Sequence, residues 1–131
     1  MAKHHPTNRK EAEKEQKEMF GFVPKFYSSV PDATYHEHWM LQRDLELSDQ
    51  TALDNKTKEL IGLAVAAQIK CQYCIYFHSR AAQTFGATDQ EMREAIAIAG
   101  LTDLFSNSLN GVQYDYDNFK REVERVLENM K

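Results

Sequence analysis

The chain is 131 residues long, with 42% apolar residues, a net charge of -4 and a pI near 5.7. That length suits one domain with its own core, and the acidic balance argues against a nucleic-acid platform. No run approaches the roughly 18 apolar residues of a membrane helix, and Met1–Pro6 lacks the apolar centre of a signal peptide, so a cytoplasmic protein is expected.

In chain order, Asn8 to Glu18 (NRKEAEKEQKE) has Ala12 as its one apolar residue. It reads as a polar arm over residues 1–20, helical with Glu13–Lys17 paired at i, i+4, lying either in solvent or on a neighbouring subunit. Gly21, Pro24 and Pro31 interrupt the chain, and Phe22, Val23, Phe26, Tyr27 and Val30 form an apolar patch between them, a short helix on the core. Asp32 is an N-cap candidate for a helix to about Leu47, with Tyr35, Trp39, Gln42 and Leu45 at helical spacing. His36 and His38 fall at i, i+2, which turns them apart and argues against a shared metal.

Asp54 can cap a helix to about Ile69. Leu60, Ile61, Leu63, Ala64, Val65, Ala66, Ala67 and Ile69 leave it almost no polar face, the pattern of a buried helix. Glu59 in that helix is notable, because carboxylates are rarely buried without a partner; the plainer reading is an exposed first-turn acid favoured by the helix dipole. A cysteine helix follows to about Phe85, with Gly86 as its C′ residue. Thr88 and Glu91 form a capping box, and Met92, Ala95, Ile96 and Ala99 give the next helix an apolar stripe. Asp115 or Asp117 starts a last amphipathic helix carrying Phe119, Val123, Val126, Leu127 and Met130. No segment reads as a strand, so the expected fold is all-α, a single domain of about six helices.

Both cysteines lie in the stretch ELIGLAVAAQIKCQYCIYFH, Glu59 to His78. Cys71, Cys74 and His78 share one helical stripe. Glu59 precedes Cys71 by twelve residues, which on a straight helix is about 18 Å. A hairpin turning near Gln68–Lys70 instead sets Glu59 and His78 nearly level on two antiparallel helices. A thiol at a helix N-terminus or beside a base ionises readily, and a histidine oriented by a carboxylate can take its proton. Cysteines at i, i+3 lie about 5 Å apart, within disulfide range, so one can attack an oxidant and the other resolve the product. Cys74, one turn from His78, is the expected attacking thiol, and Cys71 the resolving one. Buried core cysteines and a zinc site are the alternatives. CxxCxxxH supplies three ligands on one short stripe, with no second Cys/His pair elsewhere. A thioredoxin-type site belongs with βαβ units, and none is visible.

Glu59, Cys71, Cys74 and His78 match the E-x11-C-x2-C-x3-H signature, and GATDQEMREA the usual continuation, of the carboxymuconolactone decarboxylase/alkylhydroperoxidase D superfamily. The resemblance covers roughly Val23 to Asn110. It implies an all-helical subunit in trimers or hexamers. It also implies a thiol-dependent peroxidase that acts on hydroperoxides in antioxidant defence. Glu59 and His78 would be the proton relay, and a lipoyl-type or thioredoxin-like dithiol protein the electron donor. The redox work falls to the cysteines, so neither a cofactor nor a metal is expected. Tyr73 stands where the alkylhydroperoxidase D branch commonly has a histidine, which bears on rate and donor preference. The lactone decarboxylases generally lack the cysteine pair. Acid–base catalysis by His78 and Glu59 alone and a non-enzymatic disulfide sensor are the competing readings. Trp39, Tyr73, Tyr76 and Phe77 are candidates for a pocket or for core.

Overall fold

The structure, a computed structural model, describes residues 3–130. These residues are all-helical and contain no strand. Six α-helices follow one another: α1 Arg9–Phe20, α2 Tyr35–Leu41, α3 Asn55–Gln68, α4 Gln72–Thr84, α5 Asp89–Gly111 and α6 Tyr116–Asn129. Two 3-10 turns, Lys25–Ser29 and Asp32–Thr34, precede α2, and a π turn, Gln42–Glu46, extends it. Chain contacts divide the molecule into two compact units, Met1–Glu59 and Leu60–Lys131.

The first unit is built around Ala12, Tyr27, Tyr35 and Trp39, with Phe20, Val30 and Leu47 packed against them. α1 is therefore not a solvated arm. Ala12 and Gln16 are fully buried, and Pro6 before the helix is buried as well. The reason is polar pairing: the Tyr35 hydroxyl donates to Gln16 Oε1 at 2.7 Å, and Trp39 Nε1 and Arg43 Nη1 donate to Glu15 Oε2 at 2.9 and 2.7 Å. Buried Tyr and Trp each require a hydrogen-bond partner, and the polar face of α1 supplies them. Arg9 lies 4.5 Å over the Tyr35 ring and pairs with Glu13 at i, i+4, so the expected Glu13–Lys17 pair gives way to Arg9–Glu13. Arg9 also takes the Asp32 carboxylate, and Asp32 makes no cap bond, which corrects its expected role; α2 begins three residues later.

The second unit has its core at Leu63, Ala82 and Met92, with Leu60, Ile75 and Ala87 around it. α3 ends in a Schellman turn: Lys70 takes a left-handed φ of 60°, Lys70 N–H bonds Ala67 O and Cys71 N–H bonds Ala66 O. This turns the chain back at the expected place and makes the antiparallel hairpin α3–α4. α4 closes the same way, with Gly86 at φ 87° supplying the left-handed residue at no steric cost. The Thr88–Glu91 capping box and the Asp115 cap form as the sequence indicates. One expectation fails for α3: it is not buried all round, since Ile61 and Val65 are 48% and 53% exposed, as is Ile69 just past its end at 64%. α6 buries no residue, and Val126, Leu127 and Met130 on its apolar stripe are exposed.

A cysteine pair at a helix start

The Schellman turn after α3 delivers Cys71 as the N-cap of α4 in extended conformation. Its sulfur accepts the Cys74 N–H at 3.2 Å, satisfying one of the orphan amides of the helix start. Cys71 O accepts Ile75 N–H at 2.9 Å and begins the helix proper. Cys71 and Cys74 are joined as a disulfide with Cα atoms 5.3 Å apart. Both are half-buried. A positive helix end favours an anion, and Cys71 caps such an end.

His78 follows Cys74 by one helical turn and is half-buried. Its ring lies on Gly62 of α3: a Cβ placed there would meet His78 Cε1 and Nδ1 at 2.5 Å and Nε2 at 2.7 Å. Gly62 is thus a candidate site residue that the sequence reading passed over. An isolated glycine inside an apolar helix, where it costs about 1 kcal/mol relative to alanine, was the available signal. Glu59 stands one turn before Gly62 on the same helix and is 1% exposed, which excludes the exposed first-turn reading. Phe77 meets the His78 ring edge-on at 5.2 Å, while Tyr73 and Tyr76 are largely exposed and belong to no core. Trp39 is core of the first unit.

The comparisons with known proteins bear on the family and the fold. The sequence pattern of the carboxymuconolactone decarboxylase family matches residues 34–114, well over half of the chain. The chain belongs to that family. Its fold is similar to the crystal structure of the alkylhydroperoxidase AhpD core from Rhodospirillum rubrum, with a TM-score of 0.70 and 26% identity over 83% of this chain and 82% of that one. It is also 46% identical over 48 residues to uncharacterized protein 4 in the cox locus of Paracoccus denitrificans; that stretch is 37% of this chain and spans only 43% of the relative. Among the described residues, no helix of this family member is long and apolar enough to cross a membrane.

Proposed function

We propose that the protein is a thiol-dependent hydroperoxide reductase. The observation that carries the reading is the Cys71–Cys74 disulfide at the start of α4, in a family member whose fold matches an alkylhydroperoxidase core. In the reduced protein the Cys74 thiol gives its proton to His78, which Glu59 orients. The thiolate attacks the hydroperoxide; an S–O bond forms, the O–O bond breaks, and the leaving alkoxide takes the proton back as alcohol. Cys71 then attacks the Cys74 sulfenic acid, closing the S–S bond and releasing water. A dithiol donor, lipoyl-type or thioredoxin-like, returns two electrons and two protons by thiol–disulfide exchange. The placement of His78 on Gly62, one turn from buried Glu59, supports the relay.

The site works in a homo-oligomer, trimer or hexamer, within the cytoplasm. Support for assembly comes from the exposed apolar side chains of α3 and α6 and from Ile98, Leu101, Leu104 and Phe105 of α5; apolar patches of this kind mark interfaces. Light scattering at micromolar concentration checks it, and a 15 kDa particle refutes it.

The deciding experiment is peroxide consumption across a donor panel that includes dihydrolipoamide. Turnover that disappears in a Cys71→Ser/Cys74→Ser variant supports the reductase. Turnover of a lactone substrate that survives the double substitution favours acid–base catalysis by His78 and Glu59. Disulfide formation without turnover leaves a redox sensor.

A further inference from the structure

The π turn Gln42–Glu46 has no role in the reaction so far. It is closed by Leu47 N–H to Gln42 O at 3.0 Å, an i→i+5 bond, the geometry that often marks functional positions in helices. Across it Gln42 Nε2 donates to Glu46 Oε2 at 2.8 Å, and the Tyr27 hydroxyl donates to Gln42 Oε1. Tyr27 is buried; burial first, then the charge of Glu46, push its phenol up to about 12. It remains an O–H donor through neutral pH, so the Gln42 amide turns its NH2 toward Glu46 and holds that oxygen as an acceptor.

α3 meets this turn through Lys58. Its Nζ donates to Leu45 O at 2.8 Å, Ser48 O at 2.6 Å and Thr51 Oγ1 at 2.8 Å. An ammonium has three donors, and each has a partner. The clamp fixes Lys58, and with it the adjacent Glu59, against the segment that carries Glu46. Carboxylate oxygens of Glu46 and Glu59 lie within 4.8 Å of each other. Glu59 is 1% exposed, and water screens electrostatic interactions weakly around a buried group.

We propose that Glu46 is a positioning residue of the thiol site: the chain Tyr27–Gln42–Glu46, with the Lys58 clamp, fixes the placement and charge surroundings of the Glu59 carboxylate. The proposal rests on the assignment of Glu59 to the relay. Glu46 acts through Glu59, so its removal matters only while Glu59 is present. A residue that merely stabilises the fold acts alike in either background.

The test is a double-substitution cycle on the reduced protein. It reads the rate of thiol alkylation by iodoacetamide at neutral pH and the rate of peroxide turnover. Glu46→Gln slows both about tenfold in the wild-type background, within the range of coupled neighbours, and less than twofold in Glu59→Gln. Glu46→Asp, which keeps the charge, recovers part of the loss. Tyr27→Phe removes only the far end of the chain and slows both by about threefold, a second route to the result if Glu46→Gln folds poorly. Equal slowing in both backgrounds, or wild-type rates in Glu46→Gln and Tyr27→Phe, overturns the proposal. Wild-type rates in Glu59→Gln overturn the relay itself, and this inference with it.

Discussion

Gly62→Ala tests the placement of His78 more directly than any change to the histidine. The added methyl would stand 2.5 Å from two ring atoms and 2.7 Å from a third. Carbon contacts settle at about 3.5–4.0 Å, so the ring must retreat by about 1 Å or more. Two terms set the stability. Alanine is favoured over glycine inside a helix by about 1 kcal/mol, and crowding a packed site costs about 1–3 kcal/mol. The net change lies between about zero and a loss of 2 kcal/mol, a few degrees in Tm. Activity responds more steeply, because a misplacement of about 1 Å costs on the order of 100-fold. The expected result is a folded protein by circular dichroism with thiol alkylation and peroxide turnover both reduced about 100-fold. Gly100→Ala is the control: nothing lies within 4 Å of its added Cβ, so it gains about 1 kcal/mol of helix stability and keeps its turnover. If Gly62→Ala retains turnover within twofold of wild type, the position of the imidazole over Gly62 is not what the chemistry requires.

Three further predictions concern other parts of the molecule. Arg43→Leu strips Glu15 and Asp44 of their guanidinium. The Asp44 carboxyl is held down to about 2, chiefly by Arg43 against the opposing effect of burial and with help from Lys3. Because that value is depressed, its stabilisation is complete above the ordinary 3.8 and is lost as pH falls through about 2; calorimetry on Arg43→Leu should show a shallower fall of Tm across this window, and an unchanged slope would count against the assignment. Lys58→Met leaves Leu45 O, Ser48 O and Thr51 Oγ1 without their donor, at a cost of about 2–4 kcal/mol in urea unfolding; a loss under 0.5 kcal/mol would mean that the clamp is replaced by water. After one equivalent of peroxide, sulfenic acid should be trapped on Cys74 in Cys71→Ser, and trapping on Cys71 in Cys74→Ser alone would reverse the roles of the two thiols.

The features legible in the sequence are those whose causes are local. The Thr88–Glu91 capping box, the Asp115 cap, the turn before Cys71 and the C′ role of Gly86 each depend on residues a few positions apart. The cysteine spacing is of the same kind. What was misread depends on distant partners. Asp32 looked like a cap until Arg9, 23 residues earlier, took its carboxylate. Gln16 and Glu15 are polar and looked solvated, yet Tyr35, 19 residues on from Gln16, holds it inside, and Trp39, 24 residues on from Glu15, half-buries that one. Glu46 carried no mark at all, because nothing in LQRDLEL signals a π turn.

The reading of α3 failed differently. Its sequence is apolar on nearly every face, and that pattern states what the helix must keep from water in the protein's working form. One chain satisfies only part of the requirement: Leu63 and Ala66 are buried, while Ile61, Val65 and Ile69, at successive i+4 steps, form an exposed apolar row. A row on a helix that also carries Glu59 and Gly62 ties the two problems together. If a second subunit covers that row, it also restricts the approach of water to the helix that carries the proposed relay carboxylate. Glu59 is already 1% exposed within one chain, so what assembly would add is cover for the apolar row itself.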